Sequence, residues 1–281
     1  MSADVLTPIV DSPPVAATGR SHGAKLWAWC WPKLLAIGLV LGFWQLVFWS
    51  GWKPEYLLPS PAETLGALGE LVKTQQFWQA VATTLRRALT GFLLALVIGS
   101  AIGIAVSRIR PLRMAVGSLI TGLQTMPSIA WFPLAILLFG LNETAILFVV
   151  ILGAGPSIAN GVIAGVDHIP PAFLRLGTVL GARGVPLYRH IVVPAILPAY
   201  LAGLNQGWAF AWRSLMAGEL LVSIPGAIGI GRLLDGARMQ NKAAELLAVM
   251  LAILMIGMLV DGLFSSASAR MRRKRGLSLD G

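Results

Sequence analysis

The sequence predicts an all-α, polytopic membrane protein with six transmembrane helices. Hydrophobic residues make up 56% of the chain and charged residues 12%, whereas a typical soluble domain is about 25% charged. Long stretches without charge recur, and each is close to the roughly 20 apolar residues that a helix needs to cross a bilayer. They predict spans at about 33–51, 87–107, 114–139, 144–165, 193–221 and 245–264.

The positions of Lys and Arg predict that both termini are cytoplasmic. With six crossings, about twice as many of these residues fall inside as outside, which is the bias that orients membrane proteins. Residues 1–24 predict a disordered cytoplasmic tail rather than a secretory signal, and residues 25–266 form the transmembrane domain. Residues 267–281 predict a basic cytoplasmic tail in contact with anionic lipid. The net charge of +10 therefore indicates a membrane surface and no nucleic-acid partner.

Three features are predicted between the first span and the end of the second. Tyr56-Leu57-Leu58-Pro59-Ser60-Pro61 predicts an extended outer loop, because its prolines block a regular helix. Residues 62–79 predict an amphipathic helix on the outer surface, because their apolar side chains recur at helical spacing. Small residues at every fourth position of the second span predict a stripe where a neighbouring helix approaches closely. These are Gly91, Ala95, Gly99, Gly103 and Ser107.

Helix-breaking residues occur inside the third and fourth spans. Pro127 and Pro133 are expected to kink the third span, since each removes a backbone hydrogen bond. Gly153, Gly155 and Pro156 are expected to break the fourth span in the same manner. Broken membrane helices can expose polar backbone to a water-filled cavity, which a transport pathway needs. A role in packing alone is the alternative interpretation.

The fifth span carries two charged residues, Arg213 and Glu219. A charge near the bilayer centre costs about 2.5–3.5 kcal/mol on insertion scales, so it faces a partner or a cavity. The two residues lie about 120° apart and roughly 9 Å along a straight helix, which disfavours a salt bridge within it. We predict a translocation path lined by Asn205, Gln206, Trp212, Arg213 and Glu219. The alternative is that both charges are satisfied structurally, by pairing across helices or subunits.

The segment between the fourth and fifth spans, residues 167–192, predicts a loop at one membrane face that is too apolar for an ordinary solvated connector. In it, Gly181 is followed by nine residues and then by Ile191-Val192-Val193-Pro194. Glycine suits the turn after a short helix, because a left-handed backbone costs it little. A basic amphipathic loop that lies on the membrane surface is the alternative interpretation.

This pattern resembles the cytoplasmic loop of binding-protein-dependent ABC importer permeases, which reads Glu-Ala-Ala, three residues, Gly, nine residues, Ile-x-Leu-Pro. Arg175, Leu176 and Gly177 occupy the Glu-Ala-Ala positions, so a basic residue replaces the acidic one. The resemblance implies that residues 167–192 form a coupling loop that docks into a groove on an ATPase subunit. The implied ATPase-coupling residues are Phe173, Leu174, Arg175, Leu176, Gly177, Leu180, Gly181, Arg183 and Leu187.

Further segments resemble the branch of permeases that serve nitrate, bicarbonate, taurine and alkanesulfonates, and the similarity covers roughly residues 57–264. The matching segments are Pro59-Ser60-Pro61, Ala130–Ala135, Phe139-Gly140, Trp212–Glu219, Gly229-Ile230-Gly231, Gly257 and Asp261. The resemblance implies the type I importer fold in the plasma (inner) membrane of a bacterium, and a path for a small anionic solute. It also implies a permease homodimer, ABC ATPase subunits that use ATP and Mg, and an external substrate-binding protein.

Other classes of function are less consistent with the sequence. A secondary transporter or channel without an ATPase is the alternative, but it would lack the amphipathic loop and often has inverted repeats. His22, His168 and His190 form no zinc pattern, and no nucleophile elbow or phosphate-binding loop is present. We therefore expect no catalytic residues, no metal site and no cofactor bound by this chain. Cys30 is the only cysteine, so a disulfide framework is excluded.

Overall fold

The computed structural model describes residues 22–274, and this part of the chain is helical with no strand. It falls into two compact units, one ending at Trp52 and the other beginning at Lys53. The first unit contains α1, His22–Trp49, whose Trp31–Trp49 part is long and apolar enough to cross a membrane. The predicted tail 1–24 lies outside the described residues up to position 21, and its last three residues belong to α1 instead.

The second unit opens with two consecutive helices, α2 (Pro61–Lys73) and α3 (Gln75–Arg108). The Ser60 hydroxyl accepts from the Glu63 backbone N–H at 3.2 Å and the Glu63 carboxylate accepts from the Ser60 N–H at 3.0 Å, so a capping box begins α2. The single amphipathic helix predicted over 62–79 is wrong, because Thr74 ends α2 and caps α3.

The predicted third span is divided into α4 (Arg110–Thr125), a 3₁₀ turn (Ser128–Trp131) and α5 (Phe132–Phe139). The two halves are bent by 105°. The bend lies at Pro127, as predicted, because proline disfavours the helical conformation of the preceding residue. Pro133 produces no kink, since it lies in the first turn of α5, where a proline N–H would be unpaired anyway.

The predicted fourth span is one continuous helix, α6 (Glu143–Asp167), with Pro156 inside it. The predicted break is therefore wrong. Its glycines permit close helix packing instead: a Cβ on Gly99 of α3 would lie 2.6 Å from the Gly155 carbonyl, and a Cβ on Gly153 would lie 2.4 Å from Ser214 Oγ. These contacts agree with the packing role predicted for the small-residue stripe of the second span.

The remaining chain contains α7 (Pro171–Val179), α8 (Val185–Leu187), a π-helical turn (Tyr188–Val192), α9 (Val193–Leu221), α10 (Ile230–Met239) and α11 (Ala243–Lys274). The predicted fifth span has the same bounds as α9. The basic tail predicted over 267–281 is helical as far as Lys274, and its remainder lies outside the described residues.

The core of the second unit is centred on α6, which packs between α3 and α9. Phe132, Ile146, Ile158 and Leu215 are wholly buried there. Among the described residues, five helices are long and apolar enough to cross a membrane, or six if the bent pair is one span. The predicted fold class, an all-α polytopic membrane protein, is thereby confirmed.

Candidate functional site

The loop after α6 is a short helix that ends in a tight turn. The Ala182 N–H donates to the Gly177 carbonyl at 2.9 Å, and the Gly181 N–H donates to the Thr178 carbonyl at 3.1 Å. Gly181 has φ +82°, and this pair of hydrogen bonds around a left-handed residue is a Schellman motif. The sequence-based prediction of a glycine turn at this position is confirmed.

Most of the predicted coupling residues lie at the surface of the subunit. Leu174 and Leu187 are half-buried and Gly177 is buried, whereas the others are exposed: Phe173, Arg175, Leu176, Leu180, Gly181 and Arg183. Leu180 is 76% exposed, and the neighbouring Val179 and Val185 are also exposed. Exposed apolar side chains that are close together in a loop are typical of an interaction surface. We call Phe173, Leu176, Val179, Leu180 and Val185 the loop patch.

Gly177 explains how the loop is held together. A Cβ at this position would lie 2.2 Å from Ile191 Cδ1 and 2.7 Å from Leu187 Cδ1. Helix α7 therefore packs directly on the π-helical turn that leads into α9. This contact accounts for a small residue at the third position of the Arg175-Leu176-Gly177 segment.

Two contacts join this region to the α3–α4 corner. The Arg108 guanidinium lies 4.4 Å from the centroid of the Tyr188 ring, within the range of a cation–π interaction. Arg113 forms an ion pair with Asp167 at the end of α6. The loop and the end of α6 are therefore in direct contact with α3 and α4.

Arg213 lies between two cavities beside α9. Its Nε–H donates to the Ala209 carbonyl at 3.1 Å, and its guanidinium lies 5.0 Å from the Phe210 ring centroid. It forms no ion pair within residues 22–274. One cavity, of about 380 Å³, lies against the Pro127 bend, and the other, of about 540 Å³, lies between α9 and α11.

The other predicted path residues of α9 have different surroundings. Trp212 lines the larger cavity, Gln206 is exposed, and half-buried Asn205 accepts a hydrogen bond from Ser268 of α11 at 3.2 Å. Neither Asn205 nor Gln206 lines either of the two cavities beside Arg213.

Glu219 lies in a closed polar cluster rather than against a cavity. Its carboxylate accepts from Arg87 Nη1 at 3.0 Å, from the Thr84 hydroxyl at 2.9 Å and from the Gly231 N–H at 3.0 Å. The side chain is 0% exposed and that of Arg87 is 3% exposed. Glu219 therefore pairs across helices and not with Arg213, and its burial gives no support to a role in the path.

Arg87, at the first position of the predicted second span, connects this cluster to further elements. It lies on α3 and also donates from Nη2 to Glu143 Oε1 at 3.2 Å and to the Ala227 carbonyl at 3.1 Å. The cluster thus joins α3, α6, α9 and the segment that leads into α10. Sequence analysis missed Thr84 and Arg87, although their i, i+3 spacing beside an apolar span was a usable signal.

The Gly229-Ile230-Gly231 segment fits against this carboxylate. A Cβ on Gly229 would lie 2.2 Å from Glu219 Oε1, and one on Gly231 would lie 2.5 Å from Glu219 Cβ. The Ile230 N–H donates to the Thr84 hydroxyl at 2.9 Å. Both glycines are therefore required by the close approach of backbone to a buried charge.

A second polar network, also missed by sequence analysis, lies near the Pro127 bend. Gln124 Nε2 donates to Ser157 Oγ at 3.1 Å, and Asn160 Nδ2 donates to Gln124 Oε1 at 2.9 Å. Gln124 also lines the smaller cavity with Arg213. The bend therefore places side-chain polar groups within the membrane domain, opposite α9.

Residues 91–273 match the family described as the binding-protein-dependent transport system inner membrane component. The chain belongs to this family. The match includes the loop patch, α9 and the Gly229–Gly231 segment, and it begins after Thr84 and Arg87. The chain is therefore a permease, the membrane subunit of an ABC importer for small solutes.

Related proteins agree with this assignment. An ABC transporter permease protein of Methanocaldococcus jannaschii is 32% identical over 63% of this chain, and the match spans 66% of that protein's length. A permease protein for the transport of aliphatic sulfonates in Escherichia coli (strain K12) is 29% identical over 82% of this chain and 86% of its own.

A solved structure supports the fold. The permease resembles a chain of a bacterial ABC transporter involved in the import of the acidic polysaccharide alginate, with a TM-score of 0.59 and 15% identity. The match covers 88% of this chain and 95% of that one. The fold is that of the type I ABC importer permeases.

Proposed function

We propose that this permease forms the translocation path of an ATP-driven importer for a small anionic solute such as a sulfonate, taurine, nitrate or bicarbonate. Arg213 carries this proposal. It is a guanidinium inside a membrane helix, it borders two cavities, and it has no carboxylate partner among the described residues. Arginine offers a planar set of N–H donors that suits oxyanions. The sulfonate-transporting relative supports the same class of solute.

ATP hydrolysis is assigned to a partner. An ABC ATPase would bind ATP and Mg and would receive the loop patch, since five large apolar side chains exposed together are otherwise costly. Arg175, Arg183 and Arg189 are exposed around the patch, and the segment from Ile169 to Val192 contains no Asp or Glu. The ATPase groove should therefore present carboxylates or carbonyls opposite Arg175, where the family usually presents a glutamate.

Three further partners complete the proposed importer: a second copy of this permease, an external substrate-binding protein that sets most of the selectivity, and membrane lipid. The predicted topology places the loop patch and both termini on the cytoplasmic side of a bacterial plasma membrane. A loop that contacts an ATPase requires this orientation, because ATP is available on the cytoplasmic side.

Co-purification tests the assignment. The permease is expressed with a candidate ABC ATPase from the same genome and isolated in mild detergent, and the bound ATPase is quantified. Leu180→Asp should remove most of the ATPase, because it places a charge in the loop patch. Leu65→Asp, at a 50% exposed leucine of α2, is the matched control and should retain it. Equal ATPase binding by both variants would contradict the proposal.

A further inference from the structure

Two side chains of opposite charge line the 540 Å³ cavity between α9 and α11: Arg213 and Asp261. Neither forms an ion pair within the part of the chain that the structure describes. Most of the remaining wall is apolar, and it includes the rings of Trp208 and Trp212 and the side chain of Met216. The cavity therefore combines one cation, one anion and an apolar surface.

The packing of α9 against α11 places these two charges at a similar depth. The helices run antiparallel, because later residues of α9 meet earlier residues of α11. Asn205 accepts a hydrogen bond from Ser268, and the ring centroids of Trp208 and Phe264 are 4.8 Å apart. Trp212 contacts Gly257. Asp261 lies between Gly257 and Phe264 along α11.

The Arg213 side chain leans back along α9 to the Ala209 carbonyl, which lies between Trp208 and Trp212. The guanidinium and the Asp261 carboxylate therefore face the cavity within about one helical turn of each other in depth, a rise of about 5.4 Å.

An opposite charge at this depth changes what Arg213 can do. An isolated guanidinium among apolar groups would bind an anion strongly, because charge interactions are little screened there. A nearby carboxylate opposes that attraction and compensates the guanidinium when no anion is present. Passage through a membrane requires binding that is weak enough for release.

We propose that Asp261 is the resident counter-charge of Arg213, and that the cavity accepts a monovalent organic anion with a short apolar tail. The oxyanion head binds Arg213 against the opposing charge of Asp261, and the tail contacts Trp208, Trp212 and Met216. This inference rests on the proposed function and adds Asp261 as a positioning residue that sets affinity in the path. Inorganic oxyanions leave the apolar wall unused and bind more weakly.

The test measures binding of radiolabelled butane-1-sulfonate to the purified permease–ATPase complex, without the binding protein, by scintillation proximity. Asp261→Asn should tighten binding about tenfold, within the usual range for coupling between two sites. Arg213→Ala should abolish binding, and the Arg213→Ala, Asp261→Asn double variant should match Arg213→Ala. Asp261→Glu should bind like the unmodified protein, which separates charge from folding. Glu70→Gln, at an exposed carboxylate of α2, is the matched control.

Several results would overturn the inference. Unchanged or weaker binding by Asp261→Asn would show that Asp261 does not oppose the anion. Equal displacement of the label by nitrate and by unlabelled butane-1-sulfonate would remove the role of the apolar wall. The complex could still bind its ATPase and, with its binding protein, take up an anion, yet fail to bind the label. That result would refute the cavity site but not the proposed function. Absence of ATPase binding and of ATP-driven anion uptake would refute the proposed function instead.

Discussion

Arg87 Nη1 donates a hydrogen bond to Glu219 Oε1 at 3.0 Å, and both side chains are almost completely buried between α3 and α9. The Thr84 hydroxyl and the Gly231 N–H donate to the same carboxylate. The pair therefore connects two long helices to the segment that leads into α10. A buried ion pair with this many hydrogen bonds is structural, because the loss of either partner leaves an uncompensated charge.

Arg87→Ala and Glu219→Ala should each destabilise the subunit by about 3–5 kcal/mol, measured as a lower thermal unfolding midpoint in detergent. Exchange of the two residues should not restore stability, since a guanidinium at position 219 cannot accept from Thr84 and Gly231. Glu70→Gln, which removes an exposed pair with Lys73, is the control and should cost about 0–1 kcal/mol. Full recovery of stability by the exchange would show that the hydrogen bonds from the Thr84 hydroxyl and the Gly231 N–H do not matter.

Gly229→Ala should destabilise the subunit by about 1–3 kcal/mol, the usual cost of an added group in a packed site. Its Cβ would lie 2.2 Å from the Glu219 carboxylate, whereas a Cβ at Gly236 of α10 meets nothing within 4 Å. Gly236→Ala is therefore the matched control. Unfolding midpoints of the two variants give the comparison, and equal midpoints would contradict the contact.

Gly181→Asp should uncouple transport while the subunit remains in the membrane. Asn and Asp both tolerate a left-handed backbone better than most residues, so Gly181→Asn retains the turn and isolates the effect of the charge. ATP-driven uptake in proteoliposomes should fall strongly for Asp and modestly for Asn. Normal uptake and ATPase binding in the Asp variant would contradict a docked loop.

Arg213→Ala should lower anion uptake at normal membrane levels and normal ATPase assembly. Arg213→Lys should retain part of the activity, because an ammonium keeps the charge but lacks the planar donors. Lys73→Ala, at an exposed residue of α2, serves as the control. An exchange of Arg213 and Glu219 should remain inactive, since Glu219 pairs with Arg87. Recovery of uptake in that exchange would end the assignment of Arg213 to the path.

Cysteine labelling tests the topology. After Cys30 is replaced, single cysteines at Lys73 and Arg238 should react with an impermeant reagent added outside intact cells. Cysteines at Arg110, Arg183 and Arg273 should react only after the membrane is opened. External labelling at position 183 would refute the cytoplasmic loop and the ATPase contact together.

The sequence alone determined the features that depend on local composition. Hydrophobic length determined the fold class, because a helix that crosses lipid needs about 20 predominantly apolar residues. The Gly181 turn also followed from sequence, since the left-handed conformation after a short helix favours glycine. Four-residue spacing placed Gly91, Gly99 and Gly103 on one packing stripe for the same local reason.

Tertiary structure decided which residues meet. Arg87 and Glu219 are separated by 132 positions, so no local pattern could predict that they compensate each other, and Arg213 was left without that partner. The same holds for Gly155 and Pro156, which resemble helix breakers in sequence but lie in a continuous helix held against α3 and α9. Burial of a charge or a glycine depends on the neighbouring helices, and their identity is a property of the packed fold.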